Sequence, residues 1–178
     1  MAKSTKTQIL QSFSELLKNN DLDKITVTML VNECNISRQT FYYHFTDIQA
    51  LINWGIQQNT AGCLESVKSA TDINEATVIY LSSIKNNCFF LTKCLESSLS
   101  GRTTIRLRDS IAEYISYFGN EILKISNLPP EDAKFVCEFL SNAITGLILS
   151  SIYQNKEMDI HDISDKIERI ILGRLKIQ

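Results

Sequence analysis

Apolar residues recur along this chain at steps of three and four, the period of an α-helix, and no convincing alternation marks a strand. Ile9, Phe13, Leu16 and Leu17 mark one side of a helix over about residues 5–19, where Thr5 and Gln8 have the spacing of a capping box. "NNDLDK" ends it. A helix of about two turns follows Thr26, with Val27, Leu30, Val31 and Cys34 on one face, and stops at Asn35. Ser37 can then cap a third short helix, "RQTFYYH". Thr46 is expected to cap a long fourth helix, with Gln49 completing a second box and Ile48, Leu51, Ile52, Ile56, Cys63, Leu64 and Val67 on its apolar side. Gly55 and Gly62 sit inside that pattern, at a cost of about 1 kcal/mol each against alanine, and suggest close packing or a bend.

Further helices are expected near 74–85, 87–98 and 103–126, the last carrying Ile111, Ile115, Phe118, Ile122 and Ile125. "NLPPED" separates it from a helix over about 131–155, since proline suits a first helical turn. That helix is apolar nearly all round, so it needs cover on more than one side. A last helix, about 160–176, carries Ile163, Ile167, Ile170 and Ile171 on one stripe. The pattern predicts an all-α protein of about nine helices. Two domains are expected, 1–50 and 51–178, with the break inside the long fourth helix and no flexible linker.

Within 32–47, "NECNISRQTFYYHFTD", the third helix divides by face. Phe41 and Phe45, four apart, share a side with Ile36 and suit a small core. Arg38, Gln39 and Tyr42 then point outward together, flanked by Thr40, Tyr43 and His44. Solvated faces ordinarily carry Lys and Glu, so outward tyrosines ask for a reason. Two short helices joined by a tight turn and backed by a support helix make a helix-turn-helix, and DNA supplies the reason. Arg can pair with guanine, Gln with adenine, and a Thr methyl can meet thymine. Tyrosine hydroxyls and His44 suit phosphates, while Ser37 caps the helix and Lys24, Thr26 and Thr28 can anchor the second helix on the backbone.

Charge adds little. The net charge is −2, with five basic against four acidic residues in the first 46 positions and 13 against 16 in the rest. Any affinity for DNA must come from placement. The five cysteines, Cys34, Cys63, Cys88, Cys94 and Cys137, form no CxxC pair and read as small buried hydrophobes. His44 and His161 have no helix-spaced metal-binding companion. No GxSxG, HExxH, P-loop or Cys/His cluster is present, so neither an enzyme nor a cofactor or metal is expected. "AITGLILSSIY", the nearest approach to a membrane span, is too short, and "MAKSTKTQIL" has no secretory core. A cytoplasmic protein is expected.

"ITVTMLVNECNISRQTFYYHFTDIQALI" resembles the DNA-binding signature of TetR-family transcriptional regulators, a likeness running over about residues 5–55. The resemblance implies an all-α homodimer whose first three helices bind DNA and whose divergent remainder dimerises, mostly through its last two helices, and takes an effector. Where the family usually offers a phosphate-contacting lysine after the recognition helix, this chain has Ile48. "FLSNAITGLILSSIYQNKEMDIHDISDKIERII" resembles a branch that includes regulators of dihydroxyacetone kinase genes, in which some members answer to a protein partner in place of a small molecule.

For dimerisation, Ala143, Gly146 and Ser150 offer small side chains along one side, and Phe139, Ile163, Ile167, Ile170 and Ile171 offer apolar ones; burial inside one subunit is the other reading. An effector pocket would draw on Trp54, Tyr80, Phe89, Phe90, Tyr114 and Tyr117, though aromatics at helical spacing more often form plain core. Arg102, Arg106 and Arg108 in "GRTTIRLRD" suit a solvated loop and helix start, or an acidic partner. The expected function is a repressor binding a palindromic operator as a homodimer under the control of a small molecule or protein. The alternative is an interaction protein of the same fold that binds DNA feebly.

Overall fold

The structure, a computed structural model, describes residues 4–119 and 127–172. Among them are nine α-helices, one 3-10 turn and no strand: α1 (Thr5–Asn19), the turn Leu22–Lys24, α2 (Val27–Cys34), α3 (Arg38–His44), α4 (Ile48–Val67), α5 (Ile73–Asn86), α6 (Cys88–Leu95), α7 (Ser100–Phe118), α8 (Pro130–Tyr153) and α9 (Ile160–Ile171). The expected Ile122 and Ile125 lie outside the described residues, as does the end of the last helix beyond 172.

Two compact units are present, one comprising the chain through Gln58 with Phe89–Arg106, the other Asn59–Cys88 with the chain from Leu107. The first is organised around Ile9, Phe13, Leu17, Leu30, Val31, Phe41, Phe45, Leu51 and Ile52, all buried, with Cys94 beside them. Within it α1 packs on α2 and α2 on α3. Gly55 belongs to this packing: a Cβ there would stand 2.9 Å from Leu10 Cδ1, so the missing side chain lets α4 lie close on α1. Gly62, by contrast, faces open space.

The second unit buries Leu81, Ile84, Ile111, Ile115, Ile144 and Ile148, and α5 packs against α9. Ser164 in α9 is wholly buried, and its hydroxyl is satisfied by donating to the Asn74 carbonyl at 2.9 Å. The run expected to be too short for a membrane lies in a helix of 24 residues whose most apolar window has a mean hydropathy of 1.6, sufficient by length and composition alone. Packing within the described residues covers one face of it only. Ser141, Ile144, Thr145 and Ile148 are buried on one face, while Phe135, Phe139, Leu147 and Tyr153 are exposed on others.

Two expected caps move by one residue. Ser4, not Thr5, caps α1, its Oγ accepting from Thr7 N at 3.3 Å. Asp47, not Thr46, caps α4, its Oδ1 accepting from Ala50 N at 2.7 Å. In both places two capping residues stand side by side, and the one at the extended-to-helical step of the backbone does the work.

Candidate nucleic-acid interface

Local chemistry builds the helix-turn-helix. Thr26 Oγ1 accepts from Met29 N at 3.2 Å and starts α2. Asn35, left-handed at φ 54°, stops it, and its short amide side chain tolerates that conformation. Ile36 N then bonds Val31 O at 3.0 Å, closing the turn. Ser37 Oγ accepts from Thr40 N at 3.0 Å and starts α3.

Faces follow from these starts. Phe41 is fully buried and Phe45 nearly so, as expected of the inward pair. Arg38 and Gln39 are exposed, and Tyr42 and Tyr43 are 55% and 85% exposed. Tyr42 stands edge-on to Phe41 at 5.4 Å and Tyr43 edge-on to His44 at 4.9 Å, so both hydroxyls sit on rings steadied from the side. The guanidinium of Arg38 donates to Thr28 Oγ1, joining the first turns of α2 and α3. Lys24 is exposed and paired with Asp21 at 2.8 Å; the carboxylate's hydrogen bond raises the Lys24 ammonium above its ordinary pKa and lowers Asp21. Ile48 is half-buried on the first core, so an apolar anchor occupies the place where a phosphate-contacting lysine would stand.

Sequence reasoning missed three ties within this unit. Asp23, in the turn before α2, accepts from Ser98 N at 3.0 Å and from Ser98 Oγ at 2.7 Å. Arg102 Nη1 donates to Gln49 Oε1 at 2.7 Å, which occupies the amide expected to cap α4. Lys6 places its ammonium 5.5 Å from the Phe45 ring and 5.7 Å from the Trp54 ring. Residues 75 and 53 positions apart supply the first two, and no local pattern announces them.

The six aromatics expected around an effector separate into smaller groups. In the first unit Trp54 packs on Phe45 at 5.7 Å, Phe90 stands edge-on to Phe13 at 6.1 Å and Phe89 is half-exposed. In the second, Tyr80 stacks on Tyr114 at 4.4 Å, Tyr114 on Phe118 at 5.9 Å, and Tyr117 is partly exposed. The stacked phenols are satisfied by hydroxyls: Tyr80 by Ser110 at 2.9 Å, Tyr114 by Thr77 at 3.2 Å, and Ser110 in turn by Thr60 at 2.8 Å. Burial raises the pKa of both phenols, that of Tyr114 to about 12, so the cluster is uncharged at neutral pH. It is a hydroxyl-rich interior with no fixed charge.

The expected dimer residues also divide. Phe139, Ala143, Gly146, Ser150 and Ile170 are exposed, Ile163 and Ile171 half-buried and Ile167 buried. Ile167 therefore belongs to the packing of its own unit, because it lies one turn from buried Ser164.

A TetR-type family model described as "Transcriptional regulator C-terminal region" matches residues 71–173, more than half of the chain. The chain belongs to the TetR family of transcriptional regulators. Among its relatives is the HTH-type dhaKLM operon transcriptional activator DhaS of Lactococcus lactis subsp. lactis (strain IL1403), 22% identical over 99% of this chain and 95% of that one. A solved structure of the dihydroxyacetone kinase operon activator DhaS matches with a TM-score of 0.68 at 18% identity, over 96% of this chain and 95% of that one. The Thermus thermophilus FadR, a TetR-family repressor solved with lauroyl-CoA, matches with a TM-score of 0.63 at 16% identity, over 97% and 96%. At these identities the likeness is one of fold.

Proposed function

We propose that this TetR-family regulator binds a palindromic operator as a homodimer, reads it with the outward face of α3, and answers to an effector at its C-terminal region. One observation carries the reading: a capped helix of seven residues exposes Arg38, Gln39, Tyr42 and Tyr43 together while burying Phe41. Its first turn suits the major groove, where Arg38 and Gln39 read base edges, and Thr40 a thymine methyl. Ser37, Tyr42, Tyr43 and His44 suit phosphates on one side of the reading helix, and Lys24, Thr26 and Thr28 on the other.

Support for the dimer comes from α8. Phe135, Phe139 and Leu147 expose half or more of their surface, and Gly146 opens on empty space, which admits a second helix closely. A second copy lying on this face would cover it and set two reading heads about one DNA turn apart, roughly 34 Å. Domains of 1–50 for reading and 51–178 for dimerisation and control fit this division of labour. The effector would be a small molecule or a protein segment. Its binding would change the tilt of α4 and so the spacing of the heads. Equal head spacing with and without effector would sink that coupling. We take the chain for a cytoplasmic repressor.

The test is fluorescence anisotropy on duplexes tiled across the region upstream of the chain's own gene, at two salt concentrations, followed by a promoter reporter that reads both signs of regulation. The expected result is tight binding to one fragment with a steep salt dependence. Uniformly weak binding to every fragment would favour the interaction protein of the same fold, to which the low net positive charge of the N-terminal region gives some weight.

A further inference from the structure

The first turn of α1 carries a lysine set against aromatic rings. Lys6 is half-buried, and its ammonium lies over two rings at once: Phe45, which closes the recognition helix, and Trp54, in the second turn of α4. The two rings themselves meet at 5.7 Å with a tilt of 59°, so one cation lies within reach of both. One turn further along α1, Leu10 packs against Gly55, the residue after Trp54. Two consecutive turns of the same seam are thus closed, one by a cation over rings and one by an aliphatic side chain over a bare backbone.

A lysine at the start of a helix beside a DNA-reading element invites assignment as a phosphate contact. Geometry argues for another role. An ammonium placed on ring faces gains from the quadrupole only while it stays there, and a group committed to two rings is poorly placed to reach outward. We infer that Lys6 is a positioning residue for DNA reading: it locks the C-terminal end of the recognition helix to α1 and α4, and acts through Phe45 rather than on the DNA. This rests on the DNA-binding reading above.

The two roles differ in salt dependence and in the protein without DNA. Losing a phosphate contact makes the slope of log K against log salt shallower by about 0.9, whereas losing a positioning contact lowers affinity at every salt concentration with the slope unchanged. A loosened Phe45 also lets the α3 amides exchange faster in free protein, which a lost phosphate contact leaves untouched. The experiment compares wild type, Lys6→Met and Lys6→Arg, with Lys6→Gln as the alternative should the methionine variant fold poorly. Each is measured by hydrogen exchange over α3 in free protein, by emission of Trp54, the sole tryptophan, and by anisotropy on a duplex selected from a randomised pool.

The expected result for Lys6→Met is α3 exchange faster by about five- to tenfold, a shifted Trp54 emission, and DNA binding weaker by a similar factor at unchanged slope. Lys6→Arg, which keeps the cation on the rings, restores all three to within about twofold. Unchanged α3 exchange and emission with a shallower slope would overturn the proposal and make Lys6 a phosphate contact. Wild type that selects no duplex would defeat the DNA-binding reading instead, and the exchange and emission arms would still decide whether Lys6 clamps the helix.

Discussion

Helices α3 and α8 both leave aromatic rings in water, and they do so with different chemistry. On α3 the exposed rings are Tyr42 and Tyr43, each with a hydroxyl, set among Arg38, Gln39 and Thr40. On α8 they are Phe135 and Phe139, stacked on each other at 6.1 Å, with Leu147 further along the same helix. The first set offers donors and acceptors as well as apolar surface, which suits a partner made of phosphates and base edges. Phe135, Phe139 and Leu147 offer only apolar area, so water is their worst neighbour and another apolar helix their best. The atoms on an exposed ring thus set which kind of partner it suits.

Breaking the α8 side should give the largest effect. Phe139→Asp puts a carboxylate into the proposed helix–helix contact, where an unpaired buried charge costs several kcal/mol. The expected outcome is a chain that sediments as a monomer at micromolar concentration with its helical circular dichroism retained. A dimer of unchanged strength would remove α8 from the interface.

Arg38→Ala comes next. Losing a bidentate base contact should cost about 1–3 kcal/mol, or roughly 5- to 150-fold in affinity, and relax the preference at one base position, as read by anisotropy across single-base operator variants. Loss spread evenly over all sequences would reassign Arg38 to the backbone.

The buried tyrosines give a third contrast, since their hydroxyls are satisfied inside the protein. Their folded pKa values are raised, so the native state holds its phenolic protons after the unfolded chain has begun to lose them. The stability they contribute is fully present below pH 10 and falls as the pH rises from about 10 through 12. The slope is up to about 1.4 kcal/mol per pH unit for each tyrosine. Urea melts between pH 9 and 12 measure it, and Tyr80→Phe should flatten the loss. A curve equally steep in that variant would assign the alkaline loss to other groups.

The smallest effect is expected from Tyr42→Phe, which keeps the ring against Phe41 and removes only the hydroxyl. A lost hydrogen bond of about 0.5–1.5 kcal/mol predicts binding weaker by roughly 2- to 12-fold with stability unchanged. Equal affinity would mean that Tyr42 meets the DNA by its ring alone.

Much of the geometry of α3 was legible because its determinants are local. A cap serine fixes where α3 starts, the 3.6-residue period then sends Phe41 inward and Arg38 and Tyr42 outward, and asparagine stops α2 in a left-handed turn. The same rules misplaced the caps of α1 and α4 by one residue, since Ser4–Thr5 and Thr46–Asp47 each offer two capping side chains and the backbone chooses between them. The aromatics expected around an effector were harder. Trp54 and Tyr80 look alike on a helical pattern, yet one packs on Phe45 under Lys6 and the other stacks on Tyr114 above Ser110.

By itself the sequence determined the all-helical class, the helix-turn-helix and the side of α3 that faces outward, because each follows from interactions between residues three or four apart. Only the tertiary structure decided that Asp23 holds Ser98, that Gln49 is occupied by Arg102, that Ile167 is inside while Phe139 is outside, and that Lys6 sits on two rings. Those pairings bring together groups far apart along the chain, or depend on which side of an all-round apolar helix its neighbours cover. Periodicity cannot rank such faces, since it registers that a residue is apolar and not which surface is left to meet it.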